Sequence, residues 1–338
     1  MKALVLTAPG QFIYEERPEP ICREQDVKVR VEAVCVCGSD VSAILGRNAL
    51  FTYPRVLGHE VAGIVTEVGP AVRGVQKGDR VALMPCISCG HCRACRKGKT
   101  NCCESLRLYG VKEDGGMQEI LCAPEKNWLK LPAGMEAHTA AMIEPLTIGA
   151  HAVGRLSFGE EDRVLVIGAG PIGMSCAVNA AARGAQVLLA DTNENRCTFC
   201  RSRFPFGTVN VLGDQYRQKL EAFTEGELFD AVIDTTAAPA SMNHAWEYLC
   251  QGGELLFVGI HSKDLTWNDF SFHMKEPALF TTRNSTRADY EKVLSLIGDG
   301  LIDPDRFITH VTPFEKAADE LLLWVRPETG VYKGVITF

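Results

Sequence analysis

The chain has 338 residues, 46% of them hydrophobic and 23% charged, with a formal net charge of −7. That size fits two ordinary domains, and the composition is that of a soluble globular protein. The acidic balance excludes a nucleic-acid or anionic-membrane partner, since both need a basic face, and 14 cysteines without a secretory leader predict a reducing, cytoplasmic setting with metal use in place of disulfides.

The first 150 residues read as β-rich. The apolar stretch Ala3 to Leu6 is too short for a leader's hydrophobic region. Val27 to Val31 alternates with period two, as a half-buried strand should, and Val61 to Val68 and Arg80 to Met84 are similar. Gly74 and Gly78-Asp79 supply turns between them. Many short strands with Gly and Pro punctuation predict a barrel or sandwich-like lobe.

Two constellations in this lobe carry chemistry. Cys37-Gly-Ser39-Asp40 and Gly58-His59-Glu60 bring Cys, His and carboxylate from different loops, a mixed set that suits an open zinc site. Taken singly, a buried Cys or a core His explains each of them as well. Cys89, Cys92, Cys95 and Cys103 follow the spacing C-x2-C-x2-C-x7-C. Four crowded thiolates match a closed tetrahedral zinc site, with sulfur ligands at about 2.3 Å and no open position. Secreted disulfide frameworks and a lone redox pair fit this chain poorly. An iron–sulfur cluster is the nearer rival, but the fourth cysteine lacks the following proline of that motif. Cys102 competes with Cys103 as the fourth ligand, and Cys86 is a spare thiol at the loop entrance.

Glu144 is the only charged residue between Glu136 and Arg155. A carboxylate in apolar surroundings is costly unless paired or metal-bound, so Glu144 joins the candidates for the open site. The plainer alternative is an acid opening a helix at Pro145. Its segment lies where the two lobes are expected to join.

After about Gly154 the texture changes to alternating strand and helix. Arg163 to Ile167 predicts a buried strand, Pro171 to Arg183 a helix and Val187 to Ala190 the next strand. Val164 to Ala182 is long and apolar enough for a membrane span, but Gly168, Gly170, Pro171 and Gly173 favour strand, turn and helix. Phe229 to Asp234 and Glu254 to Val258 are further strands, with a helix predicted over Met242 to Leu249. This rhythm predicts a doubly wound parallel sheet. From about Tyr290 the tail predicts a helix, a loop and a last strand, Gly334 to Phe338.

Gly168-Ala-Gly170-Pro-Ile172-Gly173 follows a strand and opens a helix, and Asp191 stands 18 residues beyond Gly173 at the end of the next strand. In that context the glycines predict pyrophosphate binding at the helix N-terminus. The acid predicts a ribose contact that repels a 2′-phosphate, so NAD is favoured over NADP. Arg196, Val258, Gly259 and Ile260 complete the candidate cofactor contacts.

Together these motifs resemble those of the zinc-containing medium-chain dehydrogenases, the superfamily of alcohol, sorbitol and threonine dehydrogenases. The signature G-H-E-x2-G-x5-G stands here as Gly58-His59-Glu60, Gly63 and Gly69. The resemblance covers essentially the whole chain. It implies an α/β protein with a GroES-like β-rich catalytic domain over 1–150, to which a tail of about 290–338 returns, and a Rossmann NAD-binding domain over 151–289. It implies a catalytic zinc held by Cys37, His59 and either Glu144 or Glu60, a structural zinc held by the four clustered cysteines, and a homodimer or homotetramer. The implied reaction is reversible oxidation of a secondary alcohol to a ketone, with Ser39 beginning proton removal, Asp40 orienting a zinc ligand and Glu60 beside them. Many relatives carry His two residues after Cys-Gly-Ser-Asp, where this chain has Ser42, so the proton path implied here runs from Ser39 to water or the ribose.

Glu144-Pro-Leu in place of a third cysteine resembles the polyol and sugar-acid branch. Thr282-Arg-Asn-Ser-Thr286 and the ending Lys333 to Phe338 resemble bacterial 5-dehydrogenases of L-galactonate or L-gulonate. Arg283 and Asn284 are the candidate contacts for a substrate carboxylate or sugar hydroxyls. Alcohol, polyol and threonine dehydrogenases are rival readings, as is a non-catalytic NAD-binding protein on the same fold.

Overall fold

The computed structural model describes residues 1–48, 51–213 and 216–338. The chain divides into two compact units, 1–145 with 307–338, and 146–306.

In the first unit a mixed sheet runs in the order Trp128–Lys130, Arg80–Leu83, Glu60–Val68, Asp26–Cys35, Gly334–Thr337, His310–Pro313, and Ile120–Pro124 also pairs with Asp26–Cys35. Asp26–Cys35 alternates as its sequence dictates, with Val27, Val29 and Val31 fully buried. Those valines join Leu57, Val65, Trp128 and Ile336 in one apolar core. The apolar Ala3 to Leu6 lies within the strand Lys2–Ala8 of a separate three-stranded sheet. The chain returns to this unit at Phe307, because the helix Arg287–Gly298, which contains Tyr290, packs within the second unit.

The second unit is built on six parallel strands in the order Gly207–Asn210, Gln186–Asp191, Arg163–Ile167, Phe229–Asp234, Leu249–Phe257, Ala278–Thr281. The order reverses beside Arg163–Ile167, and in open parallel sheets the crevice at that point binds ligands. Its strands read as continuous apolar runs because both faces are covered; Val164, Leu165 and Val166 are all buried. The stretch that could pass for a membrane span is the strand Arg163–Ile167 followed by the 12-residue helix Pro171–Ala182, and no described helix is long and apolar enough to cross a membrane.

One predicted element is replaced. Met242 to Leu249 forms no continuous helix: a turn over Pro239–Met242 gives way to a 3₁₀ turn over Ala245–Tyr248, and Leu249 opens a strand. Asn243 Oδ1 accepts the Thr266 N–H at 2.8 Å, so its side chain braces a distant loop, and two short turns bury Met242, Ala245, Trp246 and Leu249 without a helix.

Candidate active site and metal centres

The helix Gly38–Ile44 begins at Cys37 as its N-cap, and the Cys37 N–H donates back to Asp40 Oδ2 at 2.9 Å. Asp40 is fully buried, and its other oxygen lies 3.4 Å from the Gly58 N–H and 3.9 Å from His59 Nδ1. One carboxylate therefore ties the Cys37 turn to the Gly58–His59 turn. Ligand atoms of Cys37, His59 and Glu60 lie within 4.8 Å of one another. Glu144 stands outside that trio, yet its charge is felt at His59.

The signature glycines hold this geometry. Gly58 has φ +90°, and a Cβ there would meet Val34 Cγ1 at 2.7 Å. At Gly63 a Cβ would meet the Arg30 carbonyl oxygen at 2.2 Å, and at Gly69 the Arg23 carbonyl oxygen at 2.0 Å. Any larger residue would push back the backbone packed along the strand Glu60–Val68, at whose start Glu60 stands.

The electrostatics of the trio call for a cation. Burial pushes the Glu144 carboxyl up to about 7 and raises Asp40 as well. Burial alone would lower His59, but the charges of Cys37, Asp40 and Glu144 hold it well above the ordinary imidazole range. Among the described residues, His59 Nδ1 and Ser39 Oγ are buried without a hydrogen-bond partner. A Cys, His and carboxylate set with an unpartnered ring nitrogen fits a zinc ion, and the anionic surroundings favour one. Ser42 turns away, its hydroxyl donating to the Gly38 carbonyl at 2.9 Å.

The second cluster is built by its own loop. Cys92 caps the short helix Arg93–Arg96, its Sγ accepting the Cys95 N–H at 3.5 Å, while Cys89 Sγ accepts from Cys92 N and Cys103 Sγ from Cys89 N. The four sulfurs lie within 4.8 Å of one another. Backbone N–H donors lower the thiols of Cys92 and Cys103, whereas burial raises that of Cys95. Such a set is at ease only when a metal takes all four as thiolates. Cys102 and Cys86 lie outside the group.

In the second unit a cavity of about 660 Å³ is lined by Gly168, Gly170, Ile172, Gly173, Asp191 and Arg196, together with the Thr235–Ser241 turn. The three glycines differ in task. Gly168 has φ +104°; a Cβ at Gly173 would fall 1.7 Å from the Gly168 carbonyl oxygen; the space over Gly170 is open, with only Arg196 at 4.0 Å. This cradle fits a dinucleotide pyrophosphate approaching the backbone. Val258, Gly259 and Ile260 do not line the cavity: the Val258 N–H bonds the Asp234 carbonyl at 2.9 Å and Ile260 is exposed. Arg283, exposed, and Asn284, at φ +50°, also stand outside it.

Two partners escape the motif reading. Lys333, 2% exposed, places its ammonium 2.6 Å from Glu60 Oε1 and 2.5 Å from Oε2. Asp234, buried, accepts from Thr236 and Ser241 and shapes the turn that lines the cavity. The logic applied to Glu144, a lone charge in an apolar run, would have singled out Lys333.

Comparison with known proteins agrees with this arrangement. Residues 23–133 match the alcohol dehydrogenase GroES-like domain, and residues 171–299 the zinc-binding dehydrogenase domain. The chain is 37% identical to an L-galactonate-5-dehydrogenase of Escherichia coli K12, over 100% of this chain and 99% of that one. The chain belongs to the zinc-containing medium-chain dehydrogenases. This medium-chain dehydrogenase is also 30% identical to a sorbitol dehydrogenase of Halalkalibacterium halodurans, over 94% of this chain and 95% of that one. Its fold matches the crystal structure of the alcohol dehydrogenase RspB from E. coli CFT073 complexed with NADH, with a TM-score of 0.92 and 31% identity over 100% and 99% of the two chains. It is an NAD-dependent, zinc-containing alcohol dehydrogenase of the polyol and sugar-acid branch.

Proposed function

We propose that this enzyme oxidises a secondary hydroxyl of a sugar acid of the L-galactonate or L-gulonate type to a ketone. The observation that carries the reading is the full-length similarity to an L-galactonate-5-dehydrogenase. The Cys37, His59 and Glu60 trio with Glu144 supports it, since a carboxylate-rich centre is harder and more polar than a thiolate-rich one. Cys37 and His59 with Glu60 or Glu144 would hold the catalytic zinc, and Cys89, Cys92, Cys95 and Cys103 the structural one. When bound, the zinc would supply acidity to the substrate hydroxyl and the NAD an acceptor for its hydride.

The residues have distinct tasks in this reading. Asp40 orients the Cys37 and Gly58–His59 turns through its two backbone donors. Ser39, whose buried Oγ has no hydrogen-bond partner among the described residues, takes up the hydroxyl proton and passes it to water or the ribose. Asp191 binds the ribose diol, and Arg283 with Asn284 pairs with the substrate carboxylate. Val258, Gly259 and Ile260 are further proposed contacts to the cofactor. A homo-oligomer and a reducing, cytoplasmic setting complete the proposal; the edge position of Ala278–Thr281, with Leu279 exposed on it, supports the first.

A polyol reading follows from the similarity to a sorbitol dehydrogenase. The test is kcat/KM across L-galactonate, L-gulonate, sorbitol, threonine and ethanol, for the natural enzyme and Arg283→Ala. The sugar acids should lead, because a site built for many hydroxyls is left with unpaired polar groups by a bare alcohol. Arg283→Ala should cost the acids about tenfold or more and leave sorbitol nearly unchanged. Sorbitol in the lead would favour the polyol reading, and ethanol or threonine in the lead would overturn both.

A further inference from the structure

Lys333 is a charge buried at the edge of the metal trio, and its place is fixed by the sheet. The residue enters the strand Gly334–Thr337, in which Val335 pairs with Cys35, and Cys35 pairs on its other side with Glu60. The Lys333 carbonyl accepts from Thr309 N at 2.9 Å, and its N–H lies 3.3 Å from Thr309 Oγ1. A Cβ at Gly334 would fall 2.4 Å from Trp324, so the backbone after Lys333 lies flush against that ring. Both ends of the Lys333–Glu60 pair are thus set by strand register, and the ammonium contacts both carboxylate oxygens.

We propose that Lys333 is a positioning residue that restrains Glu60 as a metal ligand. A cation donating to a carboxylate lowers its basicity, occupies lone pairs the metal would use and repels a dication nearby. Glu60 is held within reach of the trio as a weak ligand, which leaves a metal position available to the substrate hydroxyl. The charges of Glu60 and Cys37 both act on the Lys333 ammonium, and Glu60 contacts it with both carboxylate oxygens. The C-terminal strand thereby sets the ligand strength of a residue 273 positions away in the chain.

The inference rests on Cys37, His59 and Glu60 forming a metal centre, and the test separates the two claims. Zinc release to a chelator is measured for the natural enzyme, Lys333→Met, Lys333→Arg, Glu60→Gln and the double variant Lys333→Met/Glu60→Gln, with cobalt spectra of each. Lys333→Met should release the zinc of this centre about tenfold more slowly, with shifted cobalt d–d bands, and Lys333→Arg should restore both. In the Glu60→Gln background the Lys333→Met change should have no effect, since Lys333 acts through that carboxylate. Unaltered or faster release in Lys333→Met, or an effect that survives Glu60→Gln, would overturn the inference. Should Lys333→Met fail to fold, the double variant buries no unpaired charge and is compared with Glu60→Gln: equal release upholds the inference, a difference overturns it. A natural enzyme with a single zinc per chain would sink the metal centre itself, a result distinct from the others.

Discussion

Asp191 works by dividing its oxygens. Oδ2 accepts the Ala169 N–H at 2.7 Å and Oδ1 the Asn193 N–H at 2.8 Å, which fixes the Gly168 turn to the strand end. Each oxygen keeps a second lone pair for a ribose hydroxyl, while a 2′-phosphate would meet a carboxylate head-on. Arg196 Nη1 lies 3.7 Å from Oδ2 and is half exposed, so a phosphate would find a cation nearby once the acid is gone. Asp191→Ser should therefore weaken NAD and shift the NADP/NAD ratio of kcat/KM toward NADP by about tenfold or more. Cofactor titrations of both proteins decide it; equal use of NAD and NADP by the natural enzyme would refute the role given to Asp191.

Among the elements, the helix Arg287–Gly298 shows how one acid can hold a terminus. Asp289 Oδ2 accepts from Thr286 N and Thr286 Oγ1, each at 2.7 Å, and lies 2.9 Å from His151 Nδ1. Burial works against the charged form, but the His151 and Thr286 donors outweigh it and bring the carboxyl below its ordinary 3.8. A lowered folded-state value means the unfolded chain binds the proton first, so this stabilisation is complete above about pH 5 and fades as pH falls through the folded value. Asp289→Asn should cost about 1 kcal/mol near neutrality, and the gap from the natural protein should close below about pH 4. Urea unfolding of both at a series of pH values checks this, and a gap that widened in acid would contradict the assignment. The motif-bearing elements were legible in advance because local chemistry sets them: Gly168 to Gly173 must be a turn and Asp26–Cys35 must alternate. The turns over Pro239–Tyr248 were not, since Asn243 is claimed by Thr266, a contact no local pattern announces. Lys333 is legible as a lone charge in an apolar run, but its partner is not, being fixed by pairing of strands far apart in sequence.

At the scale of the whole molecule, the two clusters divide folding from chemistry. Cys89, Cys92, Cys95 and Cys103 come from one loop and bond mainly to that loop's own backbone, so their metal would staple a segment the apolar core does not reach. Cys37, His59 and Glu60 are instead placed by Asp40, the sheet and the signature glycines, a frame that stands without a metal. Losing a ligand should therefore have opposite consequences at the two places. Cys92→Ser should lower Tm by several degrees, because a closed site contributes folding energy directly. Cys37→Ser or His59→Ala should leave a folded protein with near-native Tm, one zinc per chain in place of two, and no measurable turnover. Zinc content by atomic absorption, read beside thermal unfolding and NAD reduction, gives the comparison. If Cys37→Ser unfolded or lost both metals, the separation of the two ligand sets would be wrong, and the centre at Cys37 would have to be counted as structural.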